Sequence, residues 1–374
     1  MYPEINRSLC IECGMCEKVC NYRKQDNKGN KPKLSYAAIL KNQDVLQRSA
    51  SGGAFMALAE CVLDDKGVVF GCAMNFRNGN LFPEHIMVEN KKDLISLQGS
   101  KYVQSDIGKS FQEAKKFLCA GRQVLFSGTP CQIDGLLGYL GKKYDNLFTI
   151  DIICHGVPSI HLFQDYVAYI ENRDHCSIMS VNFRNKLNGW GSFLLSLESR
   201  DDRGKTSQKV LLFNRSSYYW FFLNGISYRE NCYHCKYASE MRISDLTIGD
   251  FWGIEKEHPT YLTENGGKLS NQKGVSCVLV NTEQGERWLT CSNRYLDIFP
   301  SDFTKVSKHN KQLVSPTNRH PERDNIMELY EANGYDAIEK WYSSYLGLKR
   351  YVYIFWDLLP QSIRQIINKA RKKY

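Results

Sequence analysis

Four cysteines crowd eleven residues near the start of this chain, Cys10-x2-Cys13-x2-Cys16-x3-Cys20. Few other features restrict a backbone so much. Thiols two residues apart in a tight loop point at a common centre, and this spacing is the run that wraps one 4Fe-4S cubane. Gly14 relieves the backbone where it must turn closely. In a two-cluster domain the last cysteine of such a run serves the other cluster, so Cys10, Cys13 and Cys16 are the expected ligands and Cys20 has two candidate fates. Zinc is the alternative, although zinc sites generally use two well-separated pairs.

The remaining cysteines contain a second candidate set. Cys131 follows the strand-and-turn segment Arg122-Gln-Val-Leu-Phe-Ser-Gly-Thr-Pro, and Cys154 ends the apolar run Leu147-Phe-Thr-Ile-Asp-Ile-Ile. Adjacent parallel strands would bring those two ends together. Cys232-Tyr-His-Cys235 adds a C-x2-C pair, so the four could hold a second cluster or zinc, or could be ordinary buried thiols. Cys61, Cys72, Cys119, Cys176, Cys277 and Cys291 read as core or incidental. Fourteen cysteines without a recognisable secretory signal favour metal or redox chemistry over a disulfide framework, and a cytoplasmic location.

Beyond a polar stretch at 21–35, strand and helix patterns alternate from Tyr36 onward. Apolar residues at Ile107, Phe111, Ala114, Phe117 and Leu118 have helical spacing, and Pro130 suits the first position of a helix. From Ser177 to Phe213 the pattern turns to alternating strands such as Phe193–Ser199. The expected fold is therefore α/β passing to α+β, with a cysteine segment at 1–30, bodies at 36–122 and 123–300, and an extension at 301–374.

Charge narrows the partners. The net charge is +9, but residues 341–374 carry seven basic side chains against the single acid Asp357. The body is nearly neutral and carries no basic stripe, so nucleic acid is not expected. No apolar run reaches the roughly 18 residues of a spanning helix. The tail residues Ile363, Ile366, Ile367 and Ala370 after Pro360 have the spacing of an interfacial helix, which predicts either peripheral contact with the inner membrane face or docking on the protein itself.

Two glycine turns, Ser51-Gly52-Gly53 and Ser127-Gly128-Thr129, each precede a predicted helix. Such a turn can offer bare N–H groups to phosphate, but alone it is usually only a turn. The ordered series SASGGAF, GSKYVQS, VLFSGTPCQIDGL, IDIICHGVPS, FRNKLNGW, CYHCKYA and SDLTIGDFWGI resembles the coenzyme F-420 hydrogenase/dehydrogenase beta-subunit family over about residues 1–255. That resemblance implies FAD, one or two 4Fe-4S clusters, and electron passage between them. It implies a flavin side made by Ser51, Gly52, Gly53, Lys101, Tyr102, Gly128, Thr129 and Pro130. His155 is a candidate proton donor or a structural hydrogen-bonder, and Asp250, Phe251 and Trp252 line the substrate pocket or pack the core. Many relatives carry two ferredoxin runs, with a segment resembling Met1-Tyr-Pro-Glu-Ile-Asn6 before the second. The first run is thus expected to be either lost or upstream. The implied protein is a flavin-dependent oxidoreductase with a partner electron carrier and an unidentified small-molecule substrate, some relatives belonging to surface-polysaccharide clusters. A non-catalytic electron-transfer subunit and a structural zinc protein are the alternatives.

Overall fold

The computed structural model describes residues 5–20, 29–359 and 363. Its frame is a sheet built from β1 (Leu34–Leu40), β2 (Val68–Arg77), β3 (Asn80–Val88), β4 (Val124–Gly128), β5 (Leu147–Ile152), β9 (Leu246–Asp250), β10 (Ser276–Val280) and β11 (Leu296–Ser301). The strand order is β11-β1-β10-β9-β5-β4-β2-β3. The central strands β2, β4, β5 and β9 run parallel, while β3 at one edge and β10, β1 and β11 at the other run antiparallel. This is a mixed α/β fold with a large mixed sheet.

The residue pattern accounts for the parallel centre. Val124, Leu125 and Phe126 of β4 and Leu147 through Asp151 of β5 are buried on both faces. A parallel sheet requires this, because its crossover helices cover both sides. The helix Ala54–Asp64 packs on β1 and β2, and the helix Pro130–Leu140 packs on β4 and β5. Pro130 occupies the first helical turn as its missing N–H predicts. The expected boundary at 122/123 falls just before β4, and the sheet runs across it.

A second, antiparallel sheet of β6 (Cys176–Asn185), β7 (Leu194–Asp201) and β8 (Thr206–Leu212) matches the alternation seen after Ser177. It shares a core with the helices Ile160–Asp174 and Ser217–Leu223. Ile326, Tyr335, Ile338 and Tyr342 enter the same core, so the helices Arg323–Asn333 and Tyr335–Leu346 of the extension beyond residue 301 pack against the body.

One ion pair lies at the centre of the large sheet. Asp151 of β5 is fully buried and accepts from Arg242 Nη2 at 2.9 Å, with Arg242 itself only 2% exposed. Arg242 also donates to the Tyr237 carbonyl at 2.9 Å and to Thr247 Oγ1 at 3.1 Å. Replacing Arg242 by Met leaves the Asp151 carboxylate buried without this cation. The expected loss is about 3–5 kcal/mol of unfolding free energy, measured from the urea midpoint, and Asp151→Leu in the same chain should recover part of it.

Candidate functional site

Parallel pairing aligns the carboxyl ends of β4, β5 and β9 at one sheet edge. Gly128 is in register with Asp151, and Ile152 with Ile248. The segments leaving that edge carry Thr129 to Cys131, Cys154 with His155, and Phe251 with Trp252. Open α/β sheets bind ligands outside these strand ends, and here a cavity of 670 Å³ opens over them.

Cys131, Cys154, Cys232 and Cys235 all line the cavity. The C-x2-C loop comes from far along the chain and is tied down at several points. Arg229 N–H donates to the Val157 carbonyl at 2.9 Å, Arg242 holds the Tyr237 carbonyl, and Tyr237 Oη donates to Asp134 on the helix of Cys131 at 2.5 Å. Cys131 opens to the cavity yet is hemmed in by protein. That surrounding pushes its thiol up to about 11, with the negative potential of Cys235 and Cys232 adding to the effect. Burial likewise pushes Cys154 well up, reinforced by Cys131 and Cys232, and raises Cys232. Several desolvated sulfurs that oppose one another's ionisation form a donor set that needs a cation or cationic cluster core to become thiolate. In that chemical sense the four fit an iron–sulfur group. Among the described residues, no three His, Cys, Asp or Glu side chains are drawn tightly enough for one metal ion.

The amino-terminal cysteines differ. Cys10, Cys13 and Cys16 are exposed and Cys20 is half-buried. Gly14 takes φ 67° and starts a short helix, Met15–Val19, that lies against the helix Pro130–Leu140 bearing Cys131. The side chains beside these thiols stay out of the core, with Leu9 at 78% and Ile11 at 84% exposure.

The two glycine turns prove unequal. Gly53, at φ 81°, starts the helix Ala54–Asp64 without a side-chain cap, leaving first-turn N–H groups for an anion at the cavity edge. Gly52 sits behind it, where a Cβ would lie 2.3 Å from the Ala38 carbonyl oxygen. The turn at Gly128 is already closed, because Gln132 Oε1 accepts from Thr129 N–H at 3.0 Å and Pro130 has no N–H. Ser51, Gly53, Lys101, Tyr102, Gly128, Thr129 and His155 line the cavity, whereas Gly52 and Pro130 support it from behind. Lys101 Nζ donates to the Gln98 and Ser96 carbonyls at 2.9 and 3.2 Å. Burial lowers its ammonium to about 8, partly offset by Cys72. Tyr102 stacks on Phe222 with ring centres 4.1 Å apart. His155 opens onto the cavity, yet the protein packed around it lowers its imidazole against the pull of nearby Asp250.

Other residues at and behind the cavity come from the stretch FRNKLNGW, within which the sequence separated no individual roles. Arg184, 5% exposed, donates to Asp250 Oδ2 at 2.8 Å, and Trp190 Nε1 donates to Oδ1 at 2.9 Å. Trp252 stacks on Trp190 at 4.4 Å and on Phe193 at 5.5 Å, while Phe251 is buried in the core. Asp250 and Trp252 thus belong to the cavity and Phe251 to the packing. Lys186 Nζ donates to the carbonyls of Leu46, Ser51 and Lys273 at 3.0, 2.7 and 2.5 Å, clamping the first glycine turn to the end of β6. His85 bridges the second turn. Its Nε2 faces the Ser127 carbonyl at 3.0 Å and must carry the proton, so Nδ1 accepts from Ser105 Oγ at 2.9 Å. Basic or aromatic side chains of this kind have no diagnostic spacing of their own: the signal for Arg184, Lys186 and Trp190 was the stretch FRNKLNGW in the family resemblance, and His85 lay outside every such stretch.

Comparison with known proteins matches two stretches of the chain to the family described as coenzyme F420 hydrogenase/dehydrogenase, beta subunit. Residues 35–112 match its N-terminal part and residues 121–301 its C-terminal part. An uncharacterized protein of Methanocaldococcus jannaschii is 23% identical over 284 residues, covering 74% of this chain and 69% of that protein. A chain of the F420-reducing [NiFe] hydrogenase complex from Methanosarcina barkeri, studied by xenon derivatization, is 14% identical with a TM-score of 0.46. The match covers 82% of this chain and 96% of that one.

Burial holds the His85 imidazole at about 4, below its usual 6.5, although its bond to Ser127 opposes the shift. Between those values the unfolded chain binds more protons, so stability should fall as pH drops through the window, by up to about 3 kcal/mol. Urea midpoints of the parent and His85→Gln across this window check it, the variant losing that part of the slope.

Proposed function

This chain belongs to the coenzyme F420 hydrogenase/dehydrogenase beta-subunit family, and we propose that it works as a flavin-dependent iron–sulfur oxidoreductase acting on a small organic substrate. The observation that carries the reading is the convergence of Cys131, Cys154, Cys232 and Cys235 on the cavity that the uncapped helix Ala54–Asp64 also borders. FAD exchanges electrons singly or in pairs and a 4Fe-4S cluster singly, so the two together would connect a one-electron carrier protein to a two-electron substrate.

The chain's own residues have separable tasks in this proposal. The first-turn N–H groups after Gly53 receive the flavin phosphates, with Ser51 beside them. Lys101, Tyr102, Gly128 and Thr129, which line the same cavity, would contact the flavin, with Gly52 and Pro130 supporting the two turns. The four thiols that line the cavity, Cys131, Cys154, Cys232 and Cys235, hold one cluster. Cys10, Cys13 and Cys16 hold another near the surface, where a carrier protein can reach it, and Cys20 completes that site or serves a cluster beyond it. Trp252 and Phe193 exclude water. His155 opens onto the cavity, and the protein packed around it lowers its imidazole, so at pH 7 the neutral ring can accept a proton at its bare nitrogen while its N–H donates a hydrogen bond to a reacting atom.

Anaerobic reconstitution followed by iron, sulfide, zinc and flavin quantification tests the reading. Cys154→Ser should remove one cluster's worth of iron and sulfide and leave the rest, while Cys13→Ser should remove the other portion. A colourless parent protein that contains zinc and no flavin would sink the proposal. Once a substrate is in hand, His155→Gln should lower turnover about 10²–10⁴-fold at unchanged flavin content, and an unaltered rate would assign His155 a structural role instead.

A further inference from the structure

The helix Lys349–Leu358 lies against β8 and the turn Phe213–Arg215. Its outer face is apolar and uncovered. Leu348 is 83% exposed, Tyr351 57%, Val352 64% and Phe355 65%, and their three- and four-residue spacing puts them on one stripe. Tyr345, near the end of the preceding helix, is 59% exposed as well. Contiguous aromatic and aliphatic surface of this kind marks a contact site.

Charge selects the occupant. Lys349 and Arg350 are exposed beside the stripe. The sequence continues with Arg364, Lys369, Arg371, Lys372 and Lys373, against the lone acid Asp357. Two exposed cations beside an apolar stripe, in a stretch of sequence that carries five more and one acid, disfavour a second copy of the same surface and complement an anionic one. The helix has 10 residues, hence a length of about 15 Å, far short of the roughly 30 Å hydrocarbon core. Among the described residues no helix can cross a membrane. A short helix with basic flanks and an aromatic–aliphatic face instead lies flat in the headgroup region. The notional continuation through Ile366, Ile367 and Ala370 falls outside the described residues, where only Ile363 is seen, and it is exposed.

We propose that Leu348, Tyr351, Val352 and Phe355, with Lys349 and Arg350 beside them, seat the protein on an anionic lipid surface. This docking face is independent of the cofactor cavity and of the function proposed for it.

Flotation of the purified full chain with vesicles tests this directly. The chain should rise with vesicles of phosphatidylcholine and phosphatidylglycerol in equal parts, and bind pure phosphatidylcholine at least about tenfold more weakly. The triple change Leu348→Asn, Val352→Asn and Phe355→Asn should reduce partitioning more than about a hundredfold. Lys349→Glu with Arg350→Glu should reduce it at least about tenfold, and this charge variant decides alone if the triple variant unfolds. The proposal is overturned if the parent stays at the bottom with anionic vesicles, if it floats equally well on neutral ones, or if both variants float like the parent. Light scattering that shows a parent dimer and a monomeric triple variant, without flotation, would make the stripe a self-association face. Binding only an acidic protein would make it a protein interface.

Discussion

The buried pair between Asp151 and Arg242 holds the rest of the site in place. Two charges removed from water impose a desolvation cost, and breaking such a pair is far worse than never having made it. Asp151 sits in the middle of the parallel strands, at the register position opposite Gly128 and Thr247. Arg242 reaches it from the loop that follows Cys235, and also holds the Tyr237 carbonyl. The pair therefore fastens the C-x2-C loop to the strand that ends beside Cys154. The bond from Tyr237 to Asp134 fastens the same loop to the helix of Cys131. Three separate stretches of chain meet at one place because these anchors are buried and directional.

Around that place the cavity is electrostatically divided. On one side, thiols held up by burial and by one another favour a cationic group. On the other, the uncapped start of the helix Ala54–Asp64 favours an anionic group. Between them stand Arg184 and Asp250, mutually neutralised and framed by Trp190, Trp252 and Phe193. Lys186 belongs to this frame as well. Burial, aided by the neighbouring Arg184 charge, lowers its ammonium to about 7 while it clasps three backbone carbonyls. A ligand bridging the two sides would meet opposite polarities along its length, a stronger basis for orientation than shape alone.

What was legible in the sequence follows from period and chemistry. Apolar runs of β-branched residues, glycine turns and Pro130 by themselves indicated a strand–turn–helix body. The later alternation indicated an antiparallel part, and the cysteine spacings set out two groups of thiols. Neighbouring strand ends even suggested the meeting of Cys131 and Cys154. Strand order was not legible, since β1 near the start pairs with β10 and β11 far beyond residue 275, and no local pattern encodes such pairing. The inequality of the two glycine turns was hidden too, because it depends on whether Gln132 folds back to cap Thr129. FRNKLNGW was noticed only as a stretch, and the separate roles of its Arg184, Lys186 and Trp190, like that of His85, were not legible, as each acquires its role from partners more than forty residues away in the chain.

The sequence by itself determined the donor chemistry: which thiols exist, how closely they follow one another, and where the positive charge gathers at the end of the chain. These are properties of covalent spacing and side-chain type, which folding cannot alter. Only the tertiary structure decided which donors share a cavity, which helix start remains open to an anion, and which apolar face is left to solvent. Those outcomes depend on burial and on long-range pairing, where the cost of desolvating a group is set by neighbours that the local sequence does not specify.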